Sequence, residues 1–245
     1  MVILRDDKRI ARMRKISQYT SLVGIAALLA GLGLVFWGDD RAIIYQLLAL
    51  GTGWTISQVG IYLAHRYVRQ PRPDEVLDDA LKSVARDGRL YHHLLPAPHV
   101  LLLPIGVIIL NAKYQTGRIA VEGDKWKQRG IGLRRFFGQE GLGNPTKETD
   151  ALVGAMANYI RKNAPEVAEV PIAPLIVFTA KKIESLETEN SRIPAMRAPK
   201  LRGFLREKKR SLQPMPAADY AALRAAFDKK AAHLLEIEAT NGDSA

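Results

Sequence analysis

Three histidines that lie close together in the sequence are the first side chains with a possible chemical role. His92, His93 and His99 carry imidazoles, the commonest metal ligands in proteins. Adjacent residues of a strand point to opposite faces, however, and the segment from 91 to 99 contains no Asp, Glu or Cys that could complete a site. We therefore predict core or surface histidines and no bound metal.

A second polar group closes an apolar run, where Asn111-Ala112-Lys113 follows 107–110. Residues i and i+2 of a strand share a face, so the side chains of Asn111 and Lys113 are expected to point the same way. Neither an amide nor an ammonium provides the anionic oxygen that Mg²⁺ prefers. The pair therefore supplies no anionic metal ligand of its own.

Basic side chains alternate with aromatic ones after this run. Lysine and arginine can hold a nucleic-acid backbone while aromatic rings such as that of Trp126 stack on bases. A plain solvated loop explains the same composition equally well. The basic residues of the segment are Lys125, Lys127, Arg129, Arg134 and Arg135.

The strongest local charge lies between Arg192 and Arg210, a segment with eight basic residues and a single acidic residue, Glu207. Such a segment can bind anionic lipid headgroups or nucleic-acid phosphates, and both possibilities stay open. Its candidate binding residues are Lys200, Arg202, Arg206, Lys208, Lys209 and Arg210.

Two uncharged apolar stretches, 16–38 and 42–64, are separated only by Asp39-Asp40-Arg41. At ~1.5 Å per helical residue, each stretch can cross a hydrocarbon core of roughly 30 Å. We predict transmembrane helices at about 17–38 and 42–64. Small residues in the second stretch (Gly51, Gly53, Ser57, Gly60) would let the two helices pack closely. A buried hairpin in a soluble protein is the alternative.

The charges beside these stretches predict their orientation. Basic residues precede the first stretch and follow the second, whereas the short connection holds a single Arg41. The positive-inside rule then puts both termini in the cytoplasm of a protein that crosses the cell membrane twice. The chain has 245 residues, a net charge of +11 and no cysteine. Disulfides, thiolate metal sites and a cysteine nucleophile are therefore excluded, as suits a reducing cytoplasm.

The chain after this hairpin has the pattern of one α/β domain at 73–238, with a basic N-terminus and two helices before it at 1–72 and a disordered tail at 239–245. Continuous apolar runs predict strands that are covered on both faces. The predicted strands are 91–95, 100–103, 107–110, 118–121 and 170–180. Stripes at helical spacing predict helices at 74–86, 147–162 and 217–238.

Several short motifs, in this order, resemble the nuclease-related (NERD) domain over roughly residues 74–235. Each motif is weak alone, but their order and spacing together are distinctive. They are Pro98-His99-Val100, the run from Pro104 to Lys113, Thr116-Gly117-Arg118-Ile119, Gly123-Asp124-Lys125-Trp126, and Asn144-Pro145 at the start of a helix.

The resemblance implies a restriction-endonuclease-like mixed-sheet fold of the PD-(D/E)xK type. In that family an Asp on one strand and a Glu two residues before a Lys on the next strand hold a divalent metal. Here Pro98 and Asn111 occupy the carboxylate positions, and only Lys113 is retained. A Gln that is common in the family's Asn-Pro helix corresponds to Glu148. Replacement carboxylates could come from Glu75 on the first helix and Glu148 on the Asn-Pro helix.

The predicted function is that of a membrane-anchored, non-catalytic relative that needs no cofactor and binds nucleic acid or a protein partner at the degenerate cleft. The first alternative is a Mg²⁺-dependent nuclease with a rearranged site around Lys113. The second is a membrane scaffold without a ligand. The distance from the Lys113 ammonium to the carboxylates of Glu75 and Glu148 distinguishes the non-catalytic function from the Mg²⁺-dependent nuclease.

Overall fold

The computed structural model describes residues 1–37, 40–132 and 140–242. The chain divides into two compact units. Asp7–Arg72 together with Gly132–Gly141 form one, here called the helical unit, and Met1–Asp6 and the rest of the chain form the other, the sheet unit. The predicted nucleic-acid contacts Arg134 and Arg135 lie outside the described residues.

The helical unit contains two long helices. Helix α1 spans Asp7–Gly33 and continues as a short 3-10 helix, Leu34–Trp37, and α2 spans Asp40–Tyr67. The stretches Asp7–Phe36 and Ala42–Tyr67 are long and apolar enough to cross a membrane. Helix α1 begins about ten residues before the predicted boundary because the basic segment preceding the apolar stretch is itself helical.

Small residues form the contact between α1 and α2. The hydroxyl of Ser17 donates a hydrogen bond to the Gly60 carbonyl at 3.0 Å. A Cβ atom added to Gly53 would lie 2.9 Å from the Leu28 backbone nitrogen and 3.0 Å from the Gly24 carbonyl oxygen. The two backbones therefore approach closely at Gly53 and Gly60, as the pattern of small residues predicted. Gly51, also predicted to lie in this contact, is exposed with nothing within 4 Å of an added Cβ.

The sheet unit contains two sheets. The larger has the order β1-β2-β3-β4-β7-β9, and the smaller has the order β6-β5-β8. The strands are β1 Val2–Arg5, β2 Arg89–His92, β3 His99–Leu103, β4 Gly106–Lys113, β5 Gly117–Glu122, β6 Lys125–Arg129, β7 Ile172–Phe178, β8 Ile183–Glu187 and β9 Ala195–Arg197. The helices are α3 Pro73–Leu81, α4 Pro145–Asn163, α5 Ala198–Ser211 and α6 Ala217–Gly242.

Alternate residues of β4 divide the core into two layers. Val107 and Ile109 pack with residues of α4 and α6, whereas Ile108 and Leu110 pack with residues of α3 and α5. Strand β4 is antiparallel to β3 and parallel to β7, so the larger sheet is mixed. The predicted fold class, a mixed α/β domain after two N-terminal helices, is confirmed.

Four strands and one helix were not predicted. Strands β6 and β8 carry few apolar residues, β9 has three residues, and α5 lies in the basic segment. Strand β1 precedes α1 and pairs in parallel with β2. Residues 2–5 thus belong to the sheet, in contrast to the assignment of 1–72 to a separate anchor, and α6 extends four residues beyond 238.

An ionic cluster fastens β1 to α3. Arg5 Nε lies 2.9 Å from the carboxylate of Asp74, which is 1% exposed, and Arg5 also pairs with Asp78. The other oxygen of Asp78 lies 2.9 Å from His92 Nε2. The residues just before the helical unit are therefore tied to those just after it.

Tyr91 predicts an alkaline limit to stability. Burial, together with a 2.7 Å hydrogen bond from its hydroxyl to Asp228, raises the pKa of Tyr91 above its usual value. The unfolded side chain loses its proton near pH ~10, below the folded pKa, so stability that is present below pH ~10 is lost as the pH rises further. Urea titrations of wild type and Tyr91→Phe at rising pH should show a shallower decline in the variant. Parallel declines would contradict this assignment.

Candidate active site

The three histidines lie together in the structure. His92 Nδ1 is 2.7 Å from His99 Nδ1, and the rings of His93 and His99 are 5.1 Å apart. Strand β2 ends at His92, and His93 adopts a φ of 61°, so the expected alternation of faces does not extend to it. Within the described ranges, no group of three His, Asp or Glu side chains could hold a metal ion.

Asn111 and Lys113 lie at the end of β4. The antiparallel β3–β4 ladder runs from the Leu103–Gly106 pair to the Val100–Ile109 pair, so Pro98 and Asn111 both lie beyond its last pair. Lys113, two residues after Asn111, is on the same face of the strand. The family resemblance predicts carboxylates at positions 98 and 111, and neither Pro98 nor Asn111 carries one.

The amide of Asn111 is engaged by α4. Its Nδ2 donates to Thr149 Oγ1 at 2.9 Å and to the Pro145 carbonyl at 3.3 Å, and Asn111 is 8% exposed. Thr149 Oγ1 in turn donates to the Pro145 carbonyl at 2.7 Å. Asn111 therefore acts as a buried hydrogen-bond donor that ties β4 to the first turns of α4.

The ammonium of Lys113 pairs with the carboxylate of Glu148. The Lys113 side chain is 4% exposed, whereas that of Glu148 is 44% exposed. Gly143 permits this arrangement, because a Cβ there would lie 2.8 Å from Glu148 Oε1. The Glu148 carboxylate thus reaches Lys113, as the nuclease alternative requires. Glu75 lies half-buried on α3, whose leucines pack on the opposite face of the sheet.

The start of α4 is fastened to β6. Asn144 Oδ1 caps the helix by accepting from the Lys147 backbone nitrogen at 3.1 Å. The Asn144 amide donates to the Asp124 carbonyl at 3.1 Å, and Trp126 Nε1 donates to Thr146 Oγ1 at 2.8 Å. The strand with the predicted basic residues is therefore held next to the Lys113–Glu148 pair.

The basic candidates occupy two separate elements. On β6, Lys125, Lys127 and Arg129 are exposed and alternate with partly buried Trp126 and Gln128. The second set lies on α5, whose buried residues contact the α3 side of the larger sheet. The two predicted basic segments thus lie on different elements of the sheet unit.

The donor set of this site does not fit Mg²⁺. Of the two proposed replacement carboxylates, Glu148 reaches Lys113 and is already paired with its ammonium. Asn111 points its NH₂ group at neighbouring oxygens, and Pro98 has no ligand atom in its side chain. Mg²⁺ requires anionic oxygens, so these residues give no basis for a metal-dependent step.

Asn111→Asp should destabilise the sheet unit. The new carboxylate cannot donate to Thr149 or Pro145, and two hydrogen bonds at a buried position would be lost. The expected cost is about 1 to 3 kcal/mol of unfolding free energy. Urea denaturation is the measurement. Asn163→Asp is a matched control because Asn163 also donates to a carbonyl but is exposed, and an equal cost for both variants would contradict the prediction.

Sequence reasoning missed the threonines of this site. Thr146 and Thr149 are fully buried, and their hydroxyl oxygens accept hydrogen bonds from Trp126 and Asn111 respectively. The sequence feature that could have indicated them is the presence of polar residues on the apolar face of an otherwise amphipathic helix. It also missed Arg192, whose guanidinium pairs with two carboxylates beside α4. Arg192 Nε lies 3.2 Å from Asp124 Oδ1, and Arg192 Nη2 lies 2.5 Å from Asp150 Oδ2. Both hydrogen bonds raise the pKa of Arg192.

Comparison with known proteins identifies the domain but not its activity. No curated protein and no solved structure matches the chain. Residues 77–179 match the family described as nuclease-related domain. The matched range contains β2 to β7 and α4, and therefore all the residues of the Lys113–Glu148 site. The chain carries a nuclease-related domain, as the motifs of its sequence had indicated.

Proposed function

We propose that this chain is a membrane-anchored, non-catalytic nuclease-related protein that binds nucleic acid without cleaving it. The observation that carries the proposal is the Lys113–Glu148 ion pair beside an Asn111 amide that serves as a hydrogen-bond donor. The lysine of the family motif is neutralised by a side chain where the family would have a metal between lysine and carboxylates.

The charge balance argues against phosphodiester cleavage. Cleavage in this family needs metal charge beside the negative charge that develops on the phosphate. Here Glu148 is the one carboxylate that the described contacts bring to Lys113, and the resulting pair has no net charge. A site of this kind has little affinity for Mg²⁺.

A Mg²⁺-dependent nuclease is the second candidate function, and one observation favours it. Glu148 does reach the site, as a replacement carboxylate would have to do. For cleavage, Glu148 would have to leave Lys113, and a second anionic ligand would have to come from a residue without a described contact there. These two requirements make it the weaker candidate.

The side-chain distribution of the helical unit supports a membrane anchor. Of nineteen large hydrophobic residues that are exposed in the described chain, seventeen lie in α1, α2 and the 3-10 helix between them. Small and polar residues such as Ser17, Gly24 and Gly53 form the interior of the pair instead. Lipid, rather than water, is the solvent that suits such an outer surface.

Strand β1 supports a topology with both ends on one side. Residues 2–5 pair with 89–92, so the chain leaves the sheet unit just before α1 and re-enters it at Pro73. A segment inserted between two parts of one folded unit must cross a membrane an even number of times. Two crossings and basic flanks agree with cytoplasmic termini.

The exposed face of β6 supports nucleic acid as the ligand. Lys125, Lys127 and Arg129 follow one another at every second position, about 6.8 Å apart. This row can follow a phosphate backbone, and hydrogen bonds from Trp126 and Asn144 hold its strand beside the site. Glu122, which lies opposite Lys125 in the β5–β6 ladder, limits the row to modest affinity.

One assay tests binding and cleavage together. Full-length protein in detergent is titrated into a fluorescent DNA duplex with Mg²⁺, anisotropy is recorded, and the DNA is then run on a denaturing gel. We expect saturable binding that weakens steeply with salt, and intact DNA.

Substitution of Lys125, Lys127 and Arg129 by Gln should weaken binding by about tenfold or more, since three phosphate contacts are lost. The same change at Lys162, Lys229 and Lys230, three exposed lysines on α4 and α6, is the control for net charge. Cleaved DNA would favour the nuclease, and absence of binding would leave a protein partner or a scaffold role.

A further inference from the structure

Helix α5 carries a dense positive charge that the proposed site does not use. Arg202, Arg206 and Arg210 are exposed and recur at four-residue spacing, so they form one row along the helix. Lys200, Lys208 and Lys209 add further positive charge to the helix, and Glu207 is its single acidic residue. Like charges at this spacing repel one another, and an anionic partner would relieve that cost.

The charge of α5 is largely left for an external partner. Of its six basic residues, Lys209 alone has an acidic partner in the described chain, Asp87 at 2.6 Å. Lys208 Nζ lies 5.7 Å from the centre of the Phe204 ring. Ala198, Leu201 and Leu205 anchor the helix in the core, so its basic side is fixed toward the outside.

The position of α5 in the fold argues for a partner other than the ligand of the candidate site. Leu201 and Leu205 pack with Ile108 and Leu110, on the face of β4 opposite to Lys113. A nucleic acid bound along β6 and Lys113 would therefore not lie along α5. Helix α3, where the chain re-enters from the helical unit, packs beside α5 on this same face.

We infer that the arginine row of α5 binds anionic phospholipid headgroups of the membrane in which the helical unit is embedded. The inference rests on the proposed membrane anchor. Only residues 68–72 connect α2 to α3, and five residues span at most about 18 Å. So short a tether holds the sheet unit at the bilayer surface, where basic side chains meet a high local concentration of anionic headgroups.

A single fluorescent label on α5 tests this contact in the full-length protein. The chain has no cysteine, and Gly203 is exposed with nothing within 4 Å of an added Cβ, so Gly203→Cys provides a unique labelling site. The protein is reconstituted in vesicles of neutral phosphatidylcholine, with or without about a third phosphatidylglycerol, and with a nitroxide quencher on the headgroups. Gly154→Cys on α4, equally open, is the matched control position.

We expect headgroup quenching at position 203 to be about threefold stronger with anionic lipid than without it, whereas position 154 changes little. Raising the salt from 0.1 M to 1 M, which shortens the Debye length from ~10 Å to ~3 Å, should abolish the difference. Substitution of Arg202, Arg206 and Arg210 by Gln should abolish it as well. The triple Gln variant of Lys125, Lys127 and Arg129 should retain it.

The possible results separate this inference from the membrane anchor. Flotation of the protein with neutral vesicles tests the anchor alone. If the protein floats but quenching at 203 does not depend on lipid charge, the lipid contact is refuted and the anchor stands. If an added DNA duplex removes the quenching at equal concentration, α5 is a nucleic-acid surface and the inference is wrong.

Discussion

Glu148→Ala should destabilise the sheet unit more than Lys113→Met, although the two residues form one ion pair. Removing Glu148 leaves the Lys113 ammonium, 4% exposed, buried without its carboxylate. Removing the charge of Lys113 leaves Glu148, 44% exposed, which water can solvate. We expect about 2 to 3 kcal/mol for Glu148→Ala and less than about 1 kcal/mol for Lys113→Met.

Trp126 makes this difference measurable. The chain has three tryptophans, of which Trp37 and Trp54 belong to the helical unit, so a Trp37→Phe, Trp54→Phe background reports the sheet unit alone. Urea midpoints are compared for each single variant and for the double variant, which should resemble Lys113→Met. Glu184→Ala is the control because the Arg118–Glu184 pair is more than half exposed on both sides. Equal costs for both members of the buried pair would contradict the assignment.

Gly53→Leu should separate the two helices of the helical unit. A side chain at this position meets the backbone of α1, with the Leu28 nitrogen at 2.9 Å and the Gly24 oxygen at 3.0 Å from the new Cβ. Backbone atoms cannot rotate away as a side chain does, so the helices must move apart. Overpacking costs about 1 to 3 kcal/mol in well-packed interiors, and we expect the upper part of that range.

Cross-linking by an engineered disulfide reports the separation of α1 and α2. Cysteines at Gly31 and Ala49 would have Cβ atoms about 3.2 Å apart, close to the spacing of a disulfide, and the chain offers no other thiol. Gly53→Leu should strongly reduce oxidative cross-linking of this pair. Gly51→Leu, on the same helix as Gly53, is the matched control, since nothing lies within 4 Å of a Cβ added at Gly51. Equal cross-linking in both variants would show that α1 and α2 do not meet through Gly53.

The elements with a continuous apolar pattern could be predicted from the sequence. Strands β3, β4 and β7 coincide with runs of Val, Ile and Leu, and Asn144-Pro145 marks the start of α4 through a cap and a favourable first residue. Strand β6 could not be predicted because it is an edge strand whose single large apolar residue, Trp126, gives no periodicity. Strand β1 could not be predicted because the two long helices separate it in the sequence from its partner β2.

The candidate site was predictable in its parts but not in its contacts. Family resemblance indicated Asn111, Lys113 and Glu148, and the β4 periodicity gave the first two a common face. The ion pair joins residues thirty-five positions apart, and the direction of the Asn111 amide depends on Thr149, which the resemblance does not mention. Tertiary packing of α4 on β4 decides both, and no local pattern encodes it.

The most direct test of the non-catalytic assignment is a nicking assay on supercoiled DNA with full-length protein, Mg²⁺ or Mn²⁺, and the Lys113→Ala variant beside wild type. We predict that the supercoiled DNA stays intact with both proteins and both metals. Nicking by wild type that Lys113→Ala abolishes would contradict the assignment, because it would show that the ammonium paired with Glu148 still supports hydrolysis.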